Sequence, residues 1–165
     1  MTDRPDWLPS PIERKQDGGE WEPDEEVLSA VFCADFLSAK SPLYQGEPVR
    51  LKREPRFKGK EASFWHVTSE GSDEQNRIPD LRRCARLPWL RPIIEHADAP
   101  CVRQWDNQRK GERRACLWYH QEDFLLVLAH RRGYWLLWTA YMVTYEHTRR
   151  ELEREWEAVD ARGKG

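Results

Sequence analysis

The longest apolar run in the chain, residues 134–143 with the sequence YWLLWTAYMV, is the feature that most limits what the chain can fold into. Its aromatic and β-branched content, between a turn-like RRG and a polar YEH, predicts a central β-strand with at least one buried face. Strict alternation places Thr139 and Tyr141 on the same side as Trp135 and Leu137. Two neighbouring hydroxyls on that side indicate either a hydrogen-bonded corner of the core or the polar floor of a site.

Three shorter runs of similar character precede it, and short polar turns separate all four. The predicted strands cover residues 101–105, 113–119, 124–130 and 134–143. Connections this short join antiparallel neighbours. Helical spacing predicts helices over residues 24–38, 79–87 and 146–159, whereas residues 62–71 fit either a strand or a short helix. The predicted fold class is α+β, with N-terminal helices packed on one side of a four-stranded antiparallel sheet and a C-terminal helix.

The chain of 165 residues is long enough for one domain with a substantial core and too short for two ordinary domains. Prolines, glycines and acidic residues predict an irregular arm over residues 1–23, with Trp7 and Trp21 as anchors onto the domain. We therefore expect a single α+β domain over residues 24–160 and a disordered tail over residues 161–165.

Charge is unevenly distributed along the chain. Residues 1–49 hold 4 Lys or Arg against 11 Asp or Glu, whereas residues 50–114 hold 16 against 10. The densest basic segment, RLKREPRFKGK at residues 50–60, has six cations and one acid. A basic middle of this kind indicates either a phosphate-facing surface or a set of solvated faces.

Several protein classes are excluded by what the sequence lacks. No window reaches the about 18 apolar residues of a membrane helix, so we expect no membrane partner. The four cysteines are widely spaced without a CxxC pair, which favours reduced thiols in the cytoplasm. The five histidines are scattered, and the chain lacks zinc, nucleotide-binding and nucleophile-elbow motifs. We therefore expect neither a metal ion nor a cofactor.

The remaining His, Arg, Lys, Thr and Tyr side chains suit metal-free RNA cleavage, in which a base takes the 2′-OH proton, cations stabilise the phosphorus centre and an acid protonates the departing 5′-oxygen. The predicted catalytic residues are His66, Arg83, Arg86, Thr139 and Tyr141. The imidazole serves as acid or base, an arginine as phosphate clamp and the hydroxyls as hydrogen-bonding groups. The predicted substrate-binding residues are Lys58, Lys60, Arg82, Arg131 and Arg132. Each also has a plain interpretation, as a partly buried histidine, a core hydroxyl or a solvated cation.

Three motifs in order, FKGKEASFWH, PDLRRCARLPW and a last strand ending in WTAY, resemble the barnase, EndoU, colicin and RelE-like group of small metal-independent ribonucleases. The resemblance covers residues 57–145, and the phage- or toxin-associated branch of the group is the most similar. It implies an active site built on a sheet face from His or Lys, Arg, and Thr, Ser or Tyr. Carried onto this chain, it implicates His66, Arg83 or Arg86, Thr139 and Tyr141. It implies a toxin-type endoribonuclease that acts on RNA, for which a cognate inhibitor would be a further partner.

Two alternatives to the ribonuclease hypothesis remain open. In the first, the acidic front and the basic middle are surfaces of a non-enzymatic module that binds a protein, such as a phage or defence component. In the second, the chain is a plain RNA or DNA binder, whose contacts are Lys52, Arg53, Arg56, Lys58 and Lys60. Salt-sensitive nucleic-acid affinity without cleavage is the mark of that second alternative.

Overall fold

The computed structural model describes residues 4–12, 25–38, 40–71 and 78–163. The α-helices are α1 (Glu25–Cys33), α2 (Ala62–Thr68), α3 (Leu81–Ala85), α4 (Leu90–Glu95) and α5 (Glu146–Gly163). A π-helical turn (Ala34–Ser38) extends α1, and a 3-10 turn (Leu87–Trp89) precedes α4. The strands are β1 (Leu43–Tyr44), β2 (Glu47–Leu51), β3 (Ser69–Glu70), β4 (Ile78–Pro79), β5 (Val102–Arg109), β6 (Glu112–Tyr119), β7 (Phe124–Arg131) and β8 (Tyr134–Met142). None of the described helices has the length and apolar content to cross a membrane.

The main sheet has six strands in the order β1-β2-β8-β7-β6-β5 and curls into a half-barrel. Four of its five strand pairs join consecutive antiparallel strands, but β2 pairs with β8 in parallel, with Val49 opposite Trp135. The prediction of a four-stranded antiparallel sheet is therefore wrong, because the sheet is mixed and continues beyond β8. A parallel pair between segments this far apart leaves no local signal, since both partners carry the same apolar alternation as any other strand.

Helices pack on both faces of this sheet, so the prediction that they cover one side is also wrong. One face, here the main-core face, packs against α1, α2 and α4 through buried residues such as Phe32, Phe64 and Ile93. The opposite face, here the α5 face, carries a smaller core in which Leu152 of α5 meets Trp105 and Trp118. The C-terminal helix therefore encloses a second core, and its backbone continues to Gly163, within the predicted tail.

A β-bulge in β8 changes which way its side chains point. Val127 lies opposite Thr139, and the next residue of β7 lies opposite Leu137, so Trp138 is an extra residue in β8. Trp135 and Leu137 belong to the main core, whereas Trp138 and Tyr141 pack against the core under α5. The predicted strict alternation is therefore wrong after Leu137, because the bulge moves Tyr141 to the other face.

Residues 62–68, for which the sequence left two possibilities, form helix α2. Its Ser63 hydroxyl accepts a hydrogen bond from the Lys52 amide at 2.7 Å and donates one to the Leu137 carbonyl at 3.1 Å. The helix thus inserts where β2 separates from β8 and satisfies backbone groups that the sheet leaves unpaired. This insertion brings His66 beside the bulged part of β8.

The described part of the N-terminal arm, residues 4–12, packs onto the domain through ring and ion contacts. The Trp7 ring stacks on the His96 ring at 4.3 Å between centroids, and Arg4 forms a salt bridge to Glu122 at 2.6 Å. The Trp89 indole donates a hydrogen bond to the Pro9 carbonyl at 2.7 Å. Trp7 therefore lies where an anchor is expected, while the second predicted anchor, at position 21, lies outside the described residues.

Candidate nucleic-acid interface

Four of the five predicted catalytic residues lie close together around the backbone carbonyl of His66. They are His66, Arg83, Thr139 and Tyr141. The Thr139 hydroxyl donates a hydrogen bond to the carbonyl oxygen of His66 at 3.2 Å, and Arg83 Nη1 donates one to the same oxygen at 3.1 Å. The Arg83 guanidinium lies over the Tyr141 ring, 5.7 Å from its centroid. These contacts tie the end of α2 to β8, because carbonyls in the last turn of a helix have no partner within it.

The Arg83 guanidinium has further partners in the same region. Its Nη1 donates a second hydrogen bond, to the Ser69 carbonyl at 2.8 Å, and its Nε lies 3.3 Å from the Asp80 carboxylate. The Asp80 side chain in turn caps α3, accepting from two of its amides. Burial raises the pKa of the Tyr141 phenol, so it is protonated at neutral pH. Arg83 therefore connects α3 to α2, β3 and β8, and a neutral phenol lies beside its guanidinium.

The His66 imidazole lies apart from these hydrogen bonds, on the side of Trp138. Its ring is half-buried and meets the Trp138 ring edge to face, with centroids 6.3 Å apart. In the predicted cluster, the side chains of Thr139 and Arg83 thus bind the main chain of His66. The His66 imidazole points toward the bulge in β8.

The fifth predicted catalytic residue, Arg86, has different neighbours. Its guanidinium stacks over Trp89, 5.2 Å from the ring centroid, and donates to the Arg82 carbonyl at 3.3 Å. Burial lowers the pKa of this guanidinium. Arg82 itself is exposed and lines a cavity of about 290 Å³ with Arg83 and Tyr141. Arg86 therefore belongs to the contact between α3 and the N-terminal arm, whereas Arg82 lies beside the cluster.

The predicted substrate-binding lysines lie in the loop after β2, and the two other predicted arginines lie at the β7–β8 turn. Lys60 forms an ion pair with Glu26 at 3.3 Å, and Lys58 is exposed with its ammonium over the Phe57 ring. Arg131 pairs with Glu112, and Arg132 is exposed in the turn. The two lysines therefore contact different partners, Glu26 for Lys60 and Phe57 for Lys58. Arg131 lies on the α5 face of the sheet.

Basic and aromatic side chains line the part of the α5 face that α5 leaves in contact with solvent. We call this surface the cationic strip, and its members are Arg50, Lys52, Glu112, Arg114, Arg131, Tyr134, Leu136 and Trp138. Each of them is exposed or half-buried. The register aligns them in rows across β2, β8, β7 and β6, with Arg50 opposite Leu136 and Arg131 opposite Tyr134. Four cations and one acid therefore face the same way on a continuous sheet surface.

Trp138 lies at the centre of the cationic strip between two cations. The Lys52 ammonium is 5.5 Å from its ring centroid and the Arg114 guanidinium is 5.0 Å from it, both within cation–π range. The bulge is what makes this possible, because it leaves Trp138 without an opposing residue in β7. A further cation–π contact lies on the same face, where the Arg50 guanidinium is 5.1 Å from the Tyr134 ring centroid.

Glu112 holds two of the strip's arginines in place. Its carboxylate accepts from Arg114 at 2.9 Å and from Arg131 on its other side. Burial would raise the pKa of this carboxyl, but the hydrogen bonds and charges of the two arginines outweigh burial and lower it. Glu112 is therefore ionised at neutral pH and fixes both guanidinium groups without neutralising the strip.

Where the cationic strip meets α5, a cavity of about 350 Å³ opens between the sheet and the helix. We call it the seam cavity. Trp138 and Tyr141 form part of its wall, Thr139 and Thr148 contribute hydroxyls, and Arg114 lies at the border with the strip. It is continuous with the strip because both contain Trp138 and Arg114.

Sequence reasoning missed most of the cationic strip. Alternation within residues 113–119 would have placed Arg114 on the same side as Trp118, which is a usable signal for a basic sheet face. Lys52 was among the contacts of the plain-binder alternative. Trp138 belongs to the longest apolar run, whose composition indicates a buried strand, and no sequence pattern predicts the bulge that exposes part of its ring.

Within residues 4–12, 25–38, 40–71 and 78–163, no group of three or more His, Cys, Asp or Glu side chains could hold a metal ion. No protein-family model, curated protein or solved structure matches the chain.

Proposed function

We propose that this protein binds single-stranded RNA on the cationic strip. The observation that carries the proposal is Trp138, a half-buried indole on an open sheet face with Lys52 at 5.5 Å and Arg114 at 5.0 Å from its ring. Single-stranded nucleic acids are bound by grooves that combine aromatic rings for the bases with cations for the phosphates. The strip has both on one surface.

The geometry suits a flexible strand better than a duplex. Tyr134 and Trp138 each have a cation over the ring, so a base that stacks on the ring in place of that cation has its phosphate within reach of Arg50 or Lys52. Such stacking requires bases that are not already paired, which excludes the interior of a duplex. The exposed cations Arg53 and Lys58 in the following loop extend the positive surface beyond the sheet.

The test is fluorescence anisotropy with a labelled 12-nucleotide RNA of mixed sequence over a range of salt concentrations. Trp138→Leu should weaken binding by about 1–3 kcal/mol, the contribution of one base–aromatic contact. Lys52→Gln should weaken it and reduce the log–log salt slope by about 1, since one phosphate contact is lost. Trp7→Leu is the matched control, because Trp7 is also half-buried but stacks on His96 in the N-terminal arm.

The proposal fails if the wild-type protein does not bind this RNA at low salt, or if Trp138→Leu and Trp7→Leu bind it equally well. Thermal unfolding of each variant checks that lost binding does not reflect lost folding. A single-stranded DNA of the same sequence tests whether binding depends on the ribose hydroxyl.

A second candidate function is metal-independent RNA cleavage on the same surface, and it is favoured by the His66 imidazole beside Trp138. In this reaction the 2′-oxygen forms a bond to phosphorus as it loses its proton to a base, and the bond to the 5′-oxygen breaks as an acid protonates that oxygen. His66 would act as base or acid, and Lys52 with Arg114 would stabilise the charged phosphorus centre.

Cleavage is tested by incubating total RNA with the protein and a chelator and mapping the ends produced. Cyclic 2′,3′-phosphate ends that disappear in His66→Gln, but persist in His96→Gln, would support the role of His66. Intact RNA at concentrations where binding is saturated would exclude cleavage and leave the binding proposal standing.

A further inference from the structure

The seam cavity has walls that suit a flat, neutral and hydrogen-bonding ligand. Trp138 and Tyr141 provide aromatic surface, and Val127 and Leu152 provide apolar surface between the sheet and α5. Thr139 of β8 and Thr148 of α5 contribute hydroxyl groups to the lining from the sheet and from the helix. Ligand sites in proteins are typically apolar cavities with a few polar groups that fix orientation, and the volume of about 350 Å³ falls within their range.

The charges around the cavity argue against a phosphate inside it. Its two arginines are already paired, Arg109 with Glu155 at 3.3 Å and Arg114 with Glu112 at 2.9 Å. Glu151 of α5 adds a further negative charge to the lining. A phosphate in the cavity would therefore compete with the existing carboxylates for the two arginines, whereas an uncharged ligand would not.

We infer that the seam cavity takes one nucleobase of the RNA bound on the cationic strip. This inference rests on the proposed function and deepens it by assigning one base of the strand to a defined place. Trp138 connects the two sites, since its ring belongs to the strip and to the cavity wall. A strand whose phosphates follow Arg50 and Lys52 passes Trp138 at the mouth of the cavity, and one base can turn in against Trp138 and Tyr141.

The hydroxyls and carboxylates at the cavity match the edge of a base. Thr148 can donate or accept a hydrogen bond, and the Glu151 carboxylate can accept from an amino or imino group. The Tyr141 phenol keeps its proton at neutral pH because burial raises its pKa, so it is available as a donor. Burying a flat aromatic group between rings and an apolar wall supplies affinity that does not depend on salt.

The first experiment is an abasic scan with the wild-type protein. Each position of the 12-nucleotide RNA is replaced in turn by an abasic ribose, and affinity is measured by anisotropy. We expect one position at which loss of the base weakens binding by about 5-fold or more, as for one lost base–aromatic contact. The salt slope should stay unchanged at that position, because no phosphate is removed.

The second experiment fills the cavity. Thr148→Phe, at a half-buried position of α5, should lower affinity for the complete RNA to that of the most sensitive abasic RNA and abolish the positional penalty. Thr148→Ser is the matched control, since it keeps the hydroxyl and leaves the cavity open. Glu157→Phe places the same ring at an exposed position of α5 and should bind like wild type.

The outcomes separate this inference from the proposed function. Absence of any RNA binding overturns both. Binding with equal loss at every abasic position, or a Thr148→Phe variant that is folded by thermal unfolding and keeps the positional penalty, overturns the nucleobase site alone. The penalty at one position in wild type does not depend on how the Phe variant folds.

Discussion

Replacing Arg83 by methionine should destabilise the protein by about 2–4 kcal/mol, although the resemblance to ribonucleases implicates this arginine in catalysis. The side chain is 12% exposed, and its Nη1 donates to the carbonyls of His66 and Ser69 at 3.1 and 2.8 Å. Hydrogen bonds from a charged donor contribute about 1.5–3 kcal/mol each, and the two share one nitrogen, so their sum is reduced. Methionine keeps the apolar contact with Tyr141 but leaves both carbonyls without this donor.

Urea unfolding followed by tryptophan fluorescence measures this change directly. In a chain of this length the expected loss corresponds to a fall of about 4–16 °C in Tm. Arg82→Met is the control, because Arg82 is exposed on the same helix and should change stability by less than about 0.5 kcal/mol. Arg83→Lys should recover part of the loss, since an ammonium can replace one hydrogen bond but not the planar fork.

The structural role assigned to Arg83 would be refuted if Arg83→Met and Arg82→Met were equally stable. If Arg83→Met were then to lose RNA cleavage with its stability intact, the guanidinium would belong to the chemistry that the sequence predicts. A loss of both, rescued in stability by lysine, would identify a positioning residue that holds His66 through its carbonyl.

Two further predictions concern ionisation and thiol reactivity. The lowered pKa of Glu112 means that its carboxylate adds stability above its ordinary pKa of 4.5, and that this stability is lost as pH falls through the lowered value. Glu112→Gln should therefore destabilise the protein more at pH 7 than at pH 3 in urea titrations, and an equal loss at both would contradict the ion pairing. Burial raises the pKa of the Cys84 and Cys116 thiols to about 12 each, whereas Cys33 and Cys101 are half-buried. Iodoacetamide at pH 8 should modify Cys33 and Cys101 first, as followed by peptide mass spectrometry, and early loss of the Cys84 thiol would contradict its burial.

Local patterns predicted the four long strands because each carries its own signal. Their bounds were less predictable: the predicted strands cover residues 101–105 and 113–119, whereas β5 continues to Arg109 and β6 begins at Glu112, so that only Lys110 and Gly111, both with positive φ, form the turn. The parallel partner of β8 was not predictable in this way. Val49 of β2 pairs with Trp135 of β8, although the two strands lie far apart in the sequence. Neither strand contains a local pattern that specifies the other as its partner.

The candidate site was only partly predictable, because residue types indicate possible chemistry but not where each side chain points. His66, Thr139 and Arg83 do lie together, yet it is the carbonyl of His66 that the other two bind. A sequence specifies where a side chain is attached, while helix position and strand register decide whether the side chain or the main chain faces a neighbour. Strand register also explains why Arg114 and Trp138 meet on the α5 face, because the bulge gives β8 one more residue than β7 at this point.

The bulge at Trp138 also limits how this chain can change length during evolution. Removing that single residue would restore the regular pleat and leave Thr139 opposite Val127 and Tyr141 opposite Leu125, as they are now. The indole that Lys52 and Arg114 flank would then be gone from the sheet face. Descendants of this sequence should therefore gain or lose residues in the surface turns, while the number of residues between Trp135 and Tyr141 stays fixed.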